Sequence, residues 1–162
     1  LFFKPLFERY RPTHHPNYKH LVKIVNDFRG GSYGFISGHA TNSFAIAFLI
    51  SFIFRNHLVT TSLMLWAALN SYSRIYLGVH FISDIIAGFI VGFIIGYSVY
   101  LIYKKTREKY FKTPYFKTNQ SIYSPTQGNV MGVFIISYTA LVIILSPLLS
   151  SLSYLLLPDG WF

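Results

Sequence analysis

The sequence predicts an all-α fold, a polytopic transmembrane helical bundle, and three observations carry that expectation. Of 162 residues, 52% are hydrophobic and 19% aromatic, while 12% are charged; a soluble domain carries about a quarter charged residues. The apolar residues are gathered into long runs. The charges collect between those runs, where the loops of a membrane protein hold them. The net charge is +9, yet the basic residues form no stripe that would track a phosphate backbone. The expected partner is therefore the bilayer and not a nucleic acid. There is no cysteine, which removes disulfides and thiolate metal sites. The apolar content excludes a disordered chain, and the length fits one membrane-embedded domain over residues 1–162.

The elements follow in order. Leu1 to Phe7 reads as the end of an apolar helix that began upstream. Residues 4–36 form a long polar stretch rich in Pro, His and Gly. Four segments then approach the roughly 20 residues needed to cross a bilayer: Gly38 to Phe54, Leu58 to about Ser73, Phe81 to Tyr103, and Val130 to Leu157. Pro147 is expected to kink or end the last of them. Arg55, Asn56 and His57 make a tight turn, residues 74–80 a short connection, and residues 104–129 a basic linker. Period-2 alternation is missing from these runs, so a membrane barrel is not expected.

Helix parity places residues 4–36 and 74–80 on one side of the membrane, with Arg55 and the linker on the other. Once Lys4, Arg11 and Arg74 are set aside for chemistry, the linker side carries more Lys and Arg. The linker is then cytoplasmic and the 4–36 loop faces the periplasm or exterior of a bacterial inner membrane. Tyr110, Phe111, Tyr115 and Phe116, interleaved with lysines, read as an anchor at an anionic membrane surface.

Three clusters hold chemistry. Lys4 is followed after six residues by Arg11-Pro12; Ser37-Gly38-His39 opens the first apolar run; Ser73-Arg74 is followed after five residues by His80 and after three more by Asp84. Cations at a membrane edge are costly unless an anion pairs with them, so Lys4, Arg11 and Arg74 point to an anionic ligand. Ser37 suits an N-cap, and the amides after it lie at the positive end of a helix dipole, where phosphate binds. His80 and Asp84 are one helical turn apart, so the carboxylate can hold the imidazole in one tautomer. His39 starts another helix facing the same compartment. Two histidines, one backed by Asp, with three cations and a helix start, are the parts needed for phosphoryl transfer through a phosphohistidine.

KPLFERYRP, ISGH and SRIYLGVHFISD together resemble the three signature motifs of the type 2 phosphatidic acid phosphatase family, which includes vanadium haloperoxidases and glucose-6-phosphatase. The family pattern is Lys-x6-Arg-Pro, Pro-Ser-Gly-His and Ser-Arg-x5-His-x3-Asp. The chain departs from it once, with Ile36 at the family's proline. The resemblance spans Lys4 to Asp84. It implies six helices in the membrane branch, the first motif following the third, of which four spans are visible here. It implies His80 as nucleophile, Asp84 orienting it, and His39 as general acid and then base. Lys4, Arg11, Ser37, Gly38 and Arg74 would bind phosphate oxygens, and no metal or other cofactor is required. Ser73 reads as a helix-end hydrogen-bonding residue.

The implied activity is hydrolysis of a phosphorylated lipid: a polyprenyl diphosphate, phosphatidylglycerol phosphate, phosphatidic acid or a lipid A phosphate. A transporter or channel that binds an anion with the same cations, without cleaving it, is the alternative, but simple binding needs no general acid. Residues 12–36 are expected to shape the headgroup pocket, with Lys19, Lys23 and Arg29 available to further phosphates. His14, His15 and His20 read as solvated loop residues and His57 as unrelated to catalysis. Gly88, Gly92 and Gly96 recur every four residues, which lets a neighbouring helix approach closely.

Overall fold

A computed structural model describes residues 3–25, 28–111 and 123–156. Its elements are α1 (Phe3–Phe7), α2 (Gly38–Phe54), α3 (His57–Tyr76), α4 (Ile82–Phe111) and α5 (Pro125–Leu156). No strand forms among the described residues; Tyr10 and Tyr33 make one isolated antiparallel bridge. The prediction of an all-helical fold holds.

The four expected spans do not all appear. Among the described residues, Ile82–Tyr110 of α4 and Pro125–Leu148 of α5 are long and apolar enough to cross a membrane. At 17 residues, α2 falls short of the roughly 20 needed. The 20 residues of α3 suffice in length, but Thr60, Thr61, Ser62, Asn70, Ser71, Ser73 and Arg74 dilute its apolar character. Burial separates α4 and α5 from the core helices of a soluble protein: 22% of the most apolar stretch of α4 and 6% of that of α5 is buried.

Two boundaries also differ from expectation. The basic linker begins as helix, because α4 runs on through Lys104, Lys105, Arg107 and Lys109 to Phe111, and α5 already starts at Pro125. Residues 112–122, with the expected anchors Tyr115 and Phe116, lie outside the described residues. Tyr110 is exposed, with Lys109 Nζ 5.4 Å from its ring centre. Pro147 does not end the last helix, which continues past it to Leu156.

The helices pack in the order α4, α2, α3, α5. The α2–α4 seam is built on the glycine stripe. A Cβ at Gly92 would lie 2.8 Å from the Thr41 carbonyl oxygen, and one at Gly96 2.7 Å from that of Ala45. Only hydrogen fits, so the two backbones meet. Beside the stripe, Phe44, Phe48 and Phe52 of α2 interleave edge-to-face with Phe89, Phe93 and Tyr97 of α4. Ala40, Phe44 and Ala47 join Val59, Leu63 and Ala67 of α3 in the core. At the top of the seam, the Ser37 amide donates to the Asp84 carbonyl at 3.3 Å. Glycine packing thus sets the start of α2 against the start of α4, and both chemical clusters meet there.

Candidate active site

A cavity of about 340 Å³ opens at the end of the bundle where α2 and α4 start and α3 finishes. Lys4, Arg11, Gly38, His39, Arg74 and His80 all line it. Six of the residues named from sequence therefore share one chamber, drawn from the N-terminal segment and three helix ends. Phe28, Gly30, Asn42, Ser43, Asn70 and Val79 complete the wall.

His80 and Asp84 do not share a helix face, as their spacing alone had implied. His80 lies in the turn before α4, and Asp84 in the first turn of that helix. The contact survives because Asp84 Oδ2 caps the helix start. It accepts from the Phe81 amide at 3.0 Å and from His80 Nδ1 at 3.3 Å. On the other side of the ring, Arg11 Nη1 lies 3.3 Å from His80 Nε2 and donates to the Val79 carbonyl at 2.9 Å. A guanidinium only donates, so Nε2 is the acceptor and Nδ1 carries the proton. One tautomer satisfies both contacts, with the Nε2 lone pair accepting from Arg11, which lines the cavity beside His80. His80 is 4% exposed and Asp84 fully buried.

Charge tunes this arrangement. Burial, and then the Arg11 and Lys4 charges, push the His80 imidazole below its ordinary value; the hydrogen bond and charge of Asp84 oppose them. On balance these surroundings favour the neutral ring. Burial and the neighbouring Arg11 also lower the Lys4 ammonium. The Nε of Arg11 is buried without a partner among the described residues. Mutually repelling cations around donors that protein atoms do not use form a receptacle for an anion.

The glycine-rich loop wraps Arg11. Gly30 has φ 66°, in the left-handed region that glycine tolerates best, and a Cβ there would lie 3.3 Å from the guanidinium. A Cβ on Gly34 would sit 3.1 Å from Arg11 Cγ and 3.3 Å from Asp84 Oδ2. Backbone bonds from Arg11 to Ser32 and from Gly34 to Arg9 pin the two segments together.

Some expectations resolve differently. Ser37 is fully buried behind the cavity wall, where its hydroxyl caps α2 by accepting from the Ala40 amide. Ser73 is a helix-end residue: its hydroxyl donates to the Asn70 carbonyl and accepts from Arg74 Nε. Lys19, Lys23 and Arg29 are not on the cavity wall, although Phe28 and Gly30 from the same loop are. His20 is exposed, but His15 is half-buried, its ring 4.6 Å from Tyr18 and 6.2 Å from Phe81.

Three functional candidates went unread in the sequence. Asn42 follows His39 by three residues and Asn70 precedes Arg74 by four, spacings that share a helix face. The third is Arg9, whose Nη1 donates to Asp84 Oδ1 at 2.8 Å.

Cations, an Asp-held histidine and helix starts around one chamber define a helical protein with a candidate anion site. The sequence profile of the PAP2 superfamily matches residues 1–108, and the chain belongs to that family. It is 49% identical over 109 residues to a lipid A 4'-phosphatase of Porphyromonas gingivalis, covering 67% of this chain and 46% of that one. A lipid A 4'-phosphatase of Bacteroides thetaiotaomicron is 43% identical over 105 residues, covering 64% of this chain and 47% of the relative. The chain thus spans about half the length of these curated relatives. No solved structure matches it.

Proposed function

We propose that this chain forms the catalytic part of an integral membrane lipid phosphate phosphatase that works through a phosphohistidine on His80. The observation that carries the reading is the setting of His80. It lines the cationic cavity with Nε2 beside Arg11 Nη1, while the buried Asp84 carboxylate holds Nδ1. A site that only bound an anion would have no need of a neutral imidazole so held.

In the first step, Nε2 of His80 attacks phosphorus and the bond from phosphorus to the lipid oxygen breaks. The departing alkoxide takes a proton from His39. Asp84 offsets the positive charge that develops on the imidazole. Lys4, Arg11, Arg74 and the first amides of α2 hold the phosphoryl oxygens, which gather charge as the bond breaks. In the second step, water attacks the phosphohistidine and gives its proton to His39; phosphate leaves and His80 regains its lone pair. Every proton and charge is handled by these side chains, so the reaction proceeds without a metal or other cofactor.

The substrate reading is a lipid A-type sugar phosphate, the substrate in the relatives' names. A second cavity of about 190 Å³ shares Lys4, Gly38 and Asn42 with the first and is walled by Ile36, Val91 and Ile95. One cation, Lys4, shared between the cationic cavity and an apolar slot suits an amphiphile, and Ile36, in place of the family's proline, adds to that slot. In this reading α2 and α3 cross the bilayer between α4 and α5, giving four spans. Residues 4–36 face the periplasm and residues 104–129 the cytoplasm of a bacterial inner membrane.

The test is phosphate release from the full chain in mixed micelles, ranked by kcat/KM over lipid A 4'-phosphate, phosphatidic acid, phosphatidylglycerol phosphate and a polyprenyl diphosphate. Lipid A 4'-phosphate is expected to rank first, with acid-labile label on His80 after quenching. Binding of these lipids without phosphate release would favour anion binding alone and overturn the reading.

A further inference from the structure

The three sequence motifs leave Arg9 unassigned, yet it makes the shortest polar contact to the His80–Asp84 pair. Its Nη1 donates to Asp84 Oδ1 at 2.8 Å, while Oδ2 serves His80 and the Phe81 amide. The carboxylate is thereby divided, one oxygen for the cation and one for the imidazole. Arg9 does not join the wall of the cationic cavity and instead lines a separate one with Tyr10, His15, Tyr18 and Phe81. Its side chain is 39% exposed and Asp84 fully buried. Its guanidinium carbon lies 5.0 Å from the centre of the Phe81 ring and 5.9 Å from that of Phe35. The Gly34 amide bonds its backbone carbonyl at 2.9 Å. Backbone and side chain are both held, so the guanidinium can fix what it touches.

Removing one partner from a buried ion pair leaves an uncompensated charge. Asp84 has no water-facing surface, so without Arg9 it would turn or neutralise. Arg11 does not replace Arg9, because its own Nη1 is directed at Val79 and His80. We infer that Arg9 is a positioning residue of the proposed phosphatase site: it pins Asp84 through Oδ1 so that Oδ2 stays aligned on His80 Nδ1. It acts on the reaction only through that carboxylate. The inference rests on the phosphatase reading.

A double-mutant cycle in detergent-solubilised full chain tests it, with lipid A 4'-phosphate in mixed micelles and nitrophenyl phosphate as substrates. Arg9→Gln should lower kcat about 10- to 100-fold, as loss of one charge-assisted hydrogen bond does, with KM changed less than about twofold. Arg9→Lys, which keeps a cationic donor, should recover most of the loss and shows that the position tolerates change. In the Asp84→Asn background, Arg9→Gln should cost nothing more, since no carboxylate remains to be pinned. Equal losses in both backgrounds, a rise in KM matching the fall in kcat, or an unimpaired Arg9→Gln protein would each overturn the inference while leaving the phosphatase reading intact. A wild-type chain that releases no phosphate from either substrate would instead refute that reading, and Arg9's role with it.

Discussion

The two ends of the bundle begin from nearly the same local chemistry and finish differently. At one end Ser37 caps α2 and His39 lies in its first turn; at the other Asn56 caps α3 and His57 opens it. Each end has an arginine close by, Arg74 or Arg55. At the Asn56 end the donors have protein partners. Arg55 Nη2 donates to the Tyr100 hydroxyl at 2.9 Å, and the Asn56 amide to Asn129 Oδ1 at 3.0 Å. A Cβ on Gly128 would lie 2.6 Å from the Asn56 side chain, so α5 closes over the cap. At the Ser37 end, Lys4, Arg11 and Arg74 crowd together around a chamber they leave open. A capped helix with a nearby histidine is therefore not a site by itself. Cations that the fold gathers around an open chamber, with Arg11 Nε left without a partner among the described residues, are what make one.

The comparison breaks most sharply at the histidines. His80→Ala removes the proposed nucleophile and should abolish hydrolysis of every substrate, whereas His57→Ala should leave kcat/KM within about twofold of wild type. Phosphate release from purified variants measures both. Residual turnover in His80→Ala above that of a mock preparation would show that the attacking atom lies elsewhere.

His39 comes next, and the leaving group separates it from His80. A lipid alkoxide needs a proton as its bond to phosphorus breaks, and general-acid help of that kind contributes about 10²- to 10⁴-fold. Nitrophenolate departs without it. His39→Ala should therefore slow lipid hydrolysis far more than nitrophenyl phosphate hydrolysis, and its phosphoenzyme should accumulate. Equal losses on the two substrates would remove His39 from the acid role.

Much of this site was readable from spacing, because its chemistry is tied to helix ends. Lys4, Arg11, His39, Arg74 and His80 each sit where a charged or capping residue interrupts an apolar run. The His-x3-Asp spacing gave the right contact for the wrong local reason: Asp84 reaches back as a cap and does not lie below His80 on one helix. Arg9 was hidden because Arg-Tyr-Arg looks like loop polarity. Only the fold shows that the two arginines divide the work, Arg9 bonded to Asp84 and Arg11 to the Val79 carbonyl beside His80, with Tyr10 between them bridged to Tyr33. Of the four spans expected, α4 and α5 carry the length and apolar character by themselves, and α2 and α3 do not. One face of α2 and α3 builds the buried core through Ala40, Phe44, Ala47, Val59, Leu63 and Ala67, while most of the apolar surface of α4 and α5 is left outside it.

Arginine chemistry supplies the next contrast. Arg11→Ala and Arg74→Ala should each lower turnover by about 10²-fold, the usual effect of losing one preorganised donor to a charged transition state. Lysine should rescue poorly because it lacks the planar fork that grips two oxygens. Arg55→Ala at the opposite end should leave turnover unchanged and lower only thermal stability, read by fluorescence in detergent. A near-native Arg74→Lys enzyme would show that charge alone suffices on the chamber wall.

The smallest expected effect separates charge from geometry at Arg11. The nucleophile must be neutral, so kcat/KM should fall on the acid side as His80 takes up a proton. Burial first, and Arg11 and Lys4 next, hold that imidazole below its ordinary value of 6.5. The acid limb of the wild-type profile should therefore lie below 6.5, leaving activity level through neutral pH on that side. Arg11→Ala removes a positive charge that disfavours the imidazolium, so the limb of its residual activity should move up toward 6.5. Arg11→Lys keeps the charge and loses the fork; its activity should fall while its acid limb stays near the wild-type position. Asp84→Asn should shift the limb the other way, because the carboxylate is what favours the protonated ring. Profiles taken on nitrophenyl phosphate avoid the His39 proton in the leaving-group step and isolate the nucleophile. A wild-type limb at or above 6.5, or equal limbs in Arg11→Ala and Arg11→Lys, would mean that the Arg11 charge does not set the protonation of the attacking histidine. The 3.3 Å contact between them would then serve only to orient the ring.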